Sequence, residues 1–465
     1  MARPVFATAC LLALAPRTLA LRSRTFGAAE VDIPNRSFFG KAYRHKMINH
    51  WDLQYAAEFS LGNQTMHGVL DTGSFDLVTF SKQCERCGEA RAYDGNASQD
   101  VQWGKRTRTQ HYGSGSCTSA DAKDKVVIGD AIVPAQDFWV AHDCEMPVLG
   151  SASFTAIVGV GPPGHLAKLA AKVKAQHEQL EDQYNADGMA LPEALKGAMK
   201  QNEEDLADAE TKVDLLNSLG TQTISACYGR EAGAPGWMIW NDTTREGQPG
   251  VKKVPIEGQL TWGLKLGNVG LVDSAGKETA MSCQDGCGAI MDTGTSLIGV
   301  PSAIYNSILD ALAPDDGESV ECSKLSSLPR LMFTLGDEKF YLPPSVYIGR
   351  AYGSLNSEAV GFMRYTKETS AQRCSLLLMD LGNQNTQFGP MFIIGIPFMR
   401  HFYTTFDLGA GPGERSLFIS AASEQCEPAE DSNVQEFRRE MTPLTVDVSK
   451  IRMPHWLKSG EHHEI

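Results

Sequence analysis

Apolar residues along this chain fall mostly into short runs, many of them alternating with polar positions. In the first half the runs cover residues 55–61, 69–70, 76–80, 126–132 and 138–141. In the second half they cover 237–240, 260–266, 290–291, 331–335, 392–394, 402–406 and 417–420. Gly, Asp and Ser separate them, so each run predicts a strand and their close spacing predicts mainly antiparallel sheets. Residues 165–217 break the pattern, being rich in Ala, Leu, Lys, Glu and Gln. There Leu166, Leu169, Val173 and Leu180 share one helical face, and Leu195, Met199, Leu206, Val213 and Leu216 another. Asp187-Gly188 and Pro192 lie between, which predicts a hairpin of two helices inserted in a β-rich chain. Its heptad-like spacing suits packing on its own domain or against a partner helix. From about Glu424 the sequence turns polar and mixed in charge, predicting an irregular tail that Cys426 fixes to the body.

The termini and the charge add a compartment. Met1-Ala2-Arg3, an apolar run over 5–15 and Thr18-Leu19-Ala20 read as a signal peptide over residues 1–20. No later segment reaches the roughly 20 apolar residues of a transmembrane helix. Residues 21–50 are basic: Arg22, Arg24, Arg36, Lys41, Arg44 and Lys46 face only Glu30 and Asp32, while the whole chain carries a formal charge of −14. This segment is either a flexible tail or a prosegment whose cations cover an acidic cleft and let go when carboxylates protonate. The acidic balance argues against nucleic acid as a partner and suits an acidic lumen. A length of 465 residues, 42% of them apolar, allows two domains or one bilobal unit. Of eleven cysteines, Cys10 lies in the leader, and the even remainder suits disulfides in an oxidising compartment. Cys84-x-x-Cys87 has no second such pair, so a disulfide is expected there rather than half a zinc site. His455, His462 and His463 are candidate metal ligands, but histidines of an irregular surface tail seldom bind a metal, so no metal site is expected. Asn35, Asn63, Asn96 and Asn241 begin glycosylation sequons.

The chemistry lies in a repeat. Val69-Leu70-Asp71-Thr72-Gly73-Ser74 recurs as Ile290-Met291-Asp292-Thr293-Gly294-Thr295. An aspartate behind an apolar strand, given twice, predicts two similar lobes that each deliver one carboxylate to a shared cleft. Two carboxylates a few ångströms apart do not both ionise readily, so the pair holds one proton over a wide pH range and titrates as a unit. The ionised member takes a proton from water while the protonated one polarises a scissile carbonyl. Gly73 and Gly294 allow a tight turn that presents N–H groups to the carboxylates. Thr72 and Thr293 can bond across the lobe interface. Ser74 and Thr295 can donate to the outer carboxylate oxygens.

With these motifs the chain resembles the pepsin-like (family A1) aspartic endopeptidases over residues 51–422, the helical insertion apart. His111-Tyr112-Gly113-Ser114-Gly115-Ser116 resembles the flap hairpin, whose tyrosine closes over substrate. Phe154-Thr-Ala-Ile-Val-Gly159 and Phe392-Ile-Ile-Gly395 resemble the strands that complete each lobe, and residues 398–407 the closing strand pair. The resemblance implies disulfides Cys283–Cys287, Cys322–Cys374 and Cys84–Cys87. Cys117 with Cys144, bracing the flap base, and Cys227 with Cys426 follow by elimination. It also implies a mainly β, bilobal fold with the cleft between an N-terminal lobe (51–224) and a C-terminal lobe (225–422), followed by an extension (423–465). The function implied is an acid endopeptidase acting on proteins or peptides without a cofactor, as a monomer, secreted or in an acidic vesicle. A catalytically silent relative that binds peptides is the alternative. Five positions depart from the family: Val78 stands where a tryptophan usually bonds the flap tyrosine, Phe75 replaces a small polar residue, Thr155-Ala156 replaces Asp-Gly, and Ile396 stands where an aspartate is frequent.

Overall fold

The structure is a computed structural model that describes residues 42–209, 211–243, 247–312, 319–355, 357, 359–364, 372–430, 443–454 and 462–463. Strands dominate it. The larger sheet has fourteen strands among the described residues and runs without a break from second-half strands to first-half ones. Its path goes through Ser416–Ala422, Phe402–Asp407, Thr223–Tyr228, Gly236–Trp240, Tyr43–His50 and Gln54–Leu61 to Gln64–Asp71 and the flap strands. A second sheet of ten strands is built around Gly263–Val272, Cys287–Met291 and Gly389–Ile394. Alternation decides which face is buried: along Gly115–Ile128 interior and half-exposed positions mostly alternate, as one covered sheet face requires. The predicted run over 126–132 is in fact two strands. Gly129 sits at φ 55°, where glycine costs least, and turns the chain between Gly115–Ile128 and Ala131–Glu145.

The sequence repeat is a structural repeat. Gln64–Asp71 lies parallel to Ala156–Gly159, which in turn runs antiparallel to Leu77–Phe80. Cys287–Met291 lies parallel to Gly389–Ile394, which runs antiparallel to Ile298–Val300. Each half thus ends a buried strand at its aspartate and seats the next strand beside it.

Three expectations change. Arg44, counted with the basic segment, lies in the strand Tyr43–His50, inside the large sheet. Its guanidinium bonds Glu427 at 2.6 Å and stacks on Trp237 at 4.6 Å, so it does not cover a carboxylate cleft. Arg22, Arg24, Arg36 and Lys41 lie outside the described residues, as do the leader, Asn35 and His455. The insertion forms helices α1 (His165–Ala186) and α2 (Glu193–Ala209), joined by a turn. Val173, His177, Leu180 and Tyr184 make a half-buried stripe on α1, and His177 Nδ1 lies 2.8 Å from Glu203 Oε1 on α2. Val213, expected on that helical face, is instead an exposed loop residue, because α2 stops at Ala209; Leu216 is buried on the short helix Leu215–Ser218. The side chains of Leu166, Leu169 and Leu206 lie outside the described ones.

The third change concerns the tail. Leu444–Asp447 is a strand, parallel to Ile348–Tyr352, and Val446, Val448 and Ile451 are fully buried. Its apolar residues alternate with polar ones and cover one face, which an irregular tail would not do. The disulfides are Cys84–Cys87, Cys117–Cys144, Cys227–Cys426, Cys283–Cys287 and Cys322–Cys374.

Candidate active site

Asp71 ends its strand and Asp292 directly follows its own, and the two carboxyls face each other, 2% and 0% exposed. The loops that carry them are clasped by reciprocal bonds. Thr72 N–H donates to Thr293 Oγ1 at 2.9 Å, and Thr293 N–H to Thr72 Oγ1 at 2.9 Å. The hydroxyls reach further across: Thr72 Oγ1 donates to the Met291 carbonyl at 2.9 Å and Thr293 Oγ1 to the Leu70 carbonyl at 2.7 Å. All of these groups are buried, so removing either hydroxyl strands partners from both halves.

The glycines serve closeness more than turn geometry. Neither has a positive φ, but a Cβ on Gly294 would lie 2.2 Å from Asp71 Oδ1, and one on Gly73 would lie 2.7 Å from Asp292 Oδ1. Any side chain there would push the carboxylates apart. Gly73 N–H donates to Asp71 Oδ1 at 2.9 Å, and Gly294 N–H to Asp292 Oδ1 at 2.7 Å.

The outer oxygens differ between the halves. Thr295 Oγ1 donates to Asp292 Oδ2 at 2.5 Å, as the repeat predicts. Ser74 does not do the same for Asp71: its buried hydroxyl has no partner among the described residues. Asp71 Oδ2 instead faces the Arg452 guanidinium at 3.6 Å. Burial, and next the neighbouring Asp71 carboxylate, push Asp292 up to about 8. Burial likewise raises the Tyr228 phenol, which lies close to both aspartates.

The hairpin expected to be the flap is formed by Gln102–Tyr112 and Gly115–Ile128 and turns at Gly113-Ser114. Cys117, opposite Gln110, puts the Cys117–Cys144 disulfide near the tip and not at the base as expected, because the neighbouring strand Ala131–Glu145 ends there. Tyr112 is buried at the hairpin tip, and burial, then Asp76, raise its phenol. An indole is present although Val78 is not tryptophan. Trp139 pairs with Val78 on the neighbouring parallel strand and packs in the same apolar cluster as Tyr112 and Phe154. Arg108 ties the flap to the body by donating to Asp76 Oδ2 at 3.1 Å. Phe75 and the insertion form one feature, since its ring stacks on that of His165, the first residue of α1, at 3.8 Å. Thr155, in the family's Asp position, accepts from His67 N–H at 2.8 Å. Ile396 is buried.

Sequence reasoning missed Arg452, Met453, Pro454 and Ser296. The alternation of Leu444, Val446 and Val448 with Thr445 and Asp447 was the available signal. Among the described residues one group could hold a metal, Cys84 with Cys87 and Cys144, and all three sulfurs are spent in disulfides. His462-His463 pairs with Asn385-Thr386.

Two β-rich lobes joined at paired Asp-Thr-Gly loops make this the bilobal fold of pepsin-like proteins. The eukaryotic aspartyl protease pattern matches residues 54–186 and 239–412, and the chain belongs to that family. Gastricsin of Callithrix jacchus is 26% identical over 393 residues, covering 81% of this chain and 84% of its own length. Gastricsin of Suncus murinus is 28% identical over 399 residues, covering 83% of this chain and 85% of its own length. Vacuolar protease A of Neurospora crassa is 26% identical over 373 residues, covering 78% of each. The chain is accordingly an aspartic endopeptidase, a hydrolase of peptide bonds.

Proposed function

We propose that Asp71 and Asp292 form the catalytic dyad and hydrolyse peptide bonds at acidic pH, with Tyr112 on a flap that closes over the substrate. The observation that carries this reading is the reciprocal threonine clasp, which holds two buried carboxylates face to face on matching loops. With one proton shared, the ionised carboxylate takes a proton from water as it attacks the scissile carbonyl. The protonated one bonds the carbonyl oxygen and later supplies the leaving amine. Gly73 N–H and Gly294 N–H hold the inner oxygens still, so the carboxylates need no reorientation during the reaction. Trp139 and Phe154 beside Tyr112 suit bulky apolar substrate residues. We read residues 51–224 and 225–422 as the two lobes and the protein as a monomer of the secretory pathway that works in an acidic lumen. The names of the gastric and vacuolar relatives agree with such a compartment.

The raised Asp292 gives the test its sign. Below the dyad's first ionisation both carboxyls are protonated and the base is lost. Above about 8 both are ionised and the acid is lost. A plot of kcat/KM against pH for a denatured protein substrate is expected to peak in the acid range and to fall as the pH rises through about 8, where Asp292 gives up its proton. A maximum above pH 8 would contradict the proposal.

A further inference from the structure

The cleft already has an occupant. Residues 450–454 run between the flap tip and the loop that follows the second Asp-Thr-Gly motif, bonding both by their main chain. On one side Arg452 N–H donates to Ser296 Oγ at 2.9 Å, and Ser296 N–H returns to the Arg452 carbonyl at 3.3 Å. On the other side Met453 N–H donates to Ser114 Oγ at 3.1 Å, and Gly113 N–H to the Pro454 carbonyl at 2.7 Å. Upstream, Gln54 Nε2 donates to the Lys450 carbonyl at 2.8 Å, and the Lys450 ammonium lies 4.5 Å over the Trp51 ring.

Side chains add to this. Val446, Val448, Ile451 and Met453 are at most 3% exposed, in one apolar cluster with Leu53 and Leu297. Arg452, 4% exposed, lies over the Phe154 ring at 5.2 Å and carries its charge to 3.6 Å from Asp71 Oδ2. Arginine stays protonated throughout the range in which carboxylates titrate, so this cation is permanent. A cavity of about 290 Å³ beside the path is lined by Leu53, Ser296, Leu297 and Leu444, but by neither aspartate. The room over the dyad is taken by the segment itself.

Main-chain bonds to both walls, with alternate side chains in pockets, are how an extended peptide is held on a groove. We propose that residues 443–454 are a resident ligand of the substrate cleft, a built-in competitor that substrate must displace, with Arg452 as its anchor on Asp71. The inference rests on the reading of this cleft as the active site. It also reassigns the masking cation, from the basic segment near the start of the chain to the end of it. Because the competitor is tethered, its effective concentration is high, and it lowers apparent affinity by the fraction of molecules whose cleft is open.

The test uses the full chain and a statine-containing peptide as the probe, with binding measured by calorimetry. Arg452→Gln removes the charge while keeping a polar side chain, and is expected to bind the probe at least about tenfold tighter than the unaltered protein. Arg452→Lys, which keeps a cation, should lie close to the unaltered protein. In a second measurement on the unaltered chain, saturating probe should speed hydrogen exchange at the amides of Arg452 and Met453, because the segment has left. Equal or weaker binding by Arg452→Gln overturns the proposal. So does unchanged protection at those amides with the probe bound, which keeps the test decisive should the variant fold poorly. Failure of the catalytic reading looks different: no form turns over substrate, yet Arg452→Gln still binds more tightly. If the probe binds no form at all, the cleft reading falls and this proposal with it.

Discussion

Closeness is the governing quantity among the individual residues. Two carboxylates are brought together only because glycine follows one position after each Thr, where a Cβ would strike the opposing aspartate. The threonines then hold what the glycines allow. Thr293→Val keeps shape but leaves the Thr72 N–H and the Leu70 carbonyl without their buried partner. At about 1–3 kcal/mol for each stranded group, the loss in unfolding free energy is expected to be roughly 2–6 kcal/mol. Urea unfolding of the variant would measure it, and a loss under about 0.5 kcal/mol would mean that the clasp does not hold the loops. At this scale the two halves also part company. Thr295 bonds its aspartate, whereas Ser74 gives way to a charge from far along the chain.

Among the elements, a buried ion pair joins pieces distant in sequence. Arg400, on the helix Ile396–His401, donates to Asp52 Oδ1 at 2.8 Å and to the Tyr55 hydroxyl at 2.6 Å. Burial alone would raise Asp52, but Arg400, with Asn49 and the Gly233 N–H, outweighs it and holds the carboxyl below its ordinary value. A depressed carboxyl stabilises the fold above its unfolded pKa near 3.8, and that contribution fades as pH falls below it. Arg400→Ala should therefore cost about 3–5 kcal/mol near pH 6, and visibly less at a pH acid enough to protonate Asp52 in the folded protein. Denaturant midpoints at the two pH values would show this, and a cost that does not change with pH would argue against the pair.

Most strands were legible because each leaves a two-residue period bounded by turn residues, and α1 and α2 because their composition changes abruptly. The ends of elements were less so. Val213 fits a helical stripe arithmetically, but α2 has already stopped. The indole near the flap was hidden because Trp139 reaches Val78 through strand pairing, which sequence distance does not show. The 443–454 segment was missed for the same reason: every partner it has lies far away along the chain.

Across the whole molecule, one sheet runs through strands of both halves, and Cys227–Cys426 fixes the last part of the closing strands to it. From there the chain returns to the cleft by way of Leu444–Asp447. The residues that follow this strand bond Ser296, just after the second Asp-Thr-Gly loop, on one side and the hairpin tip at Gly113-Ser114 on the other. Substrate access becomes a competition within one chain, beside a carboxyl, Asp292, that burial and the neighbouring Asp71 push up to about 8. The paired aspartates remain the central claim. Cleavage of a denatured protein at pH ~4.5 by the unaltered chain, beside Asp71→Asn and Asp292→Asn, tests it most directly. Each substitution is expected to lower the rate by at least about a hundredfold, since each removes one partner of the proton exchange. Equal cleavage by all three proteins would contradict the account.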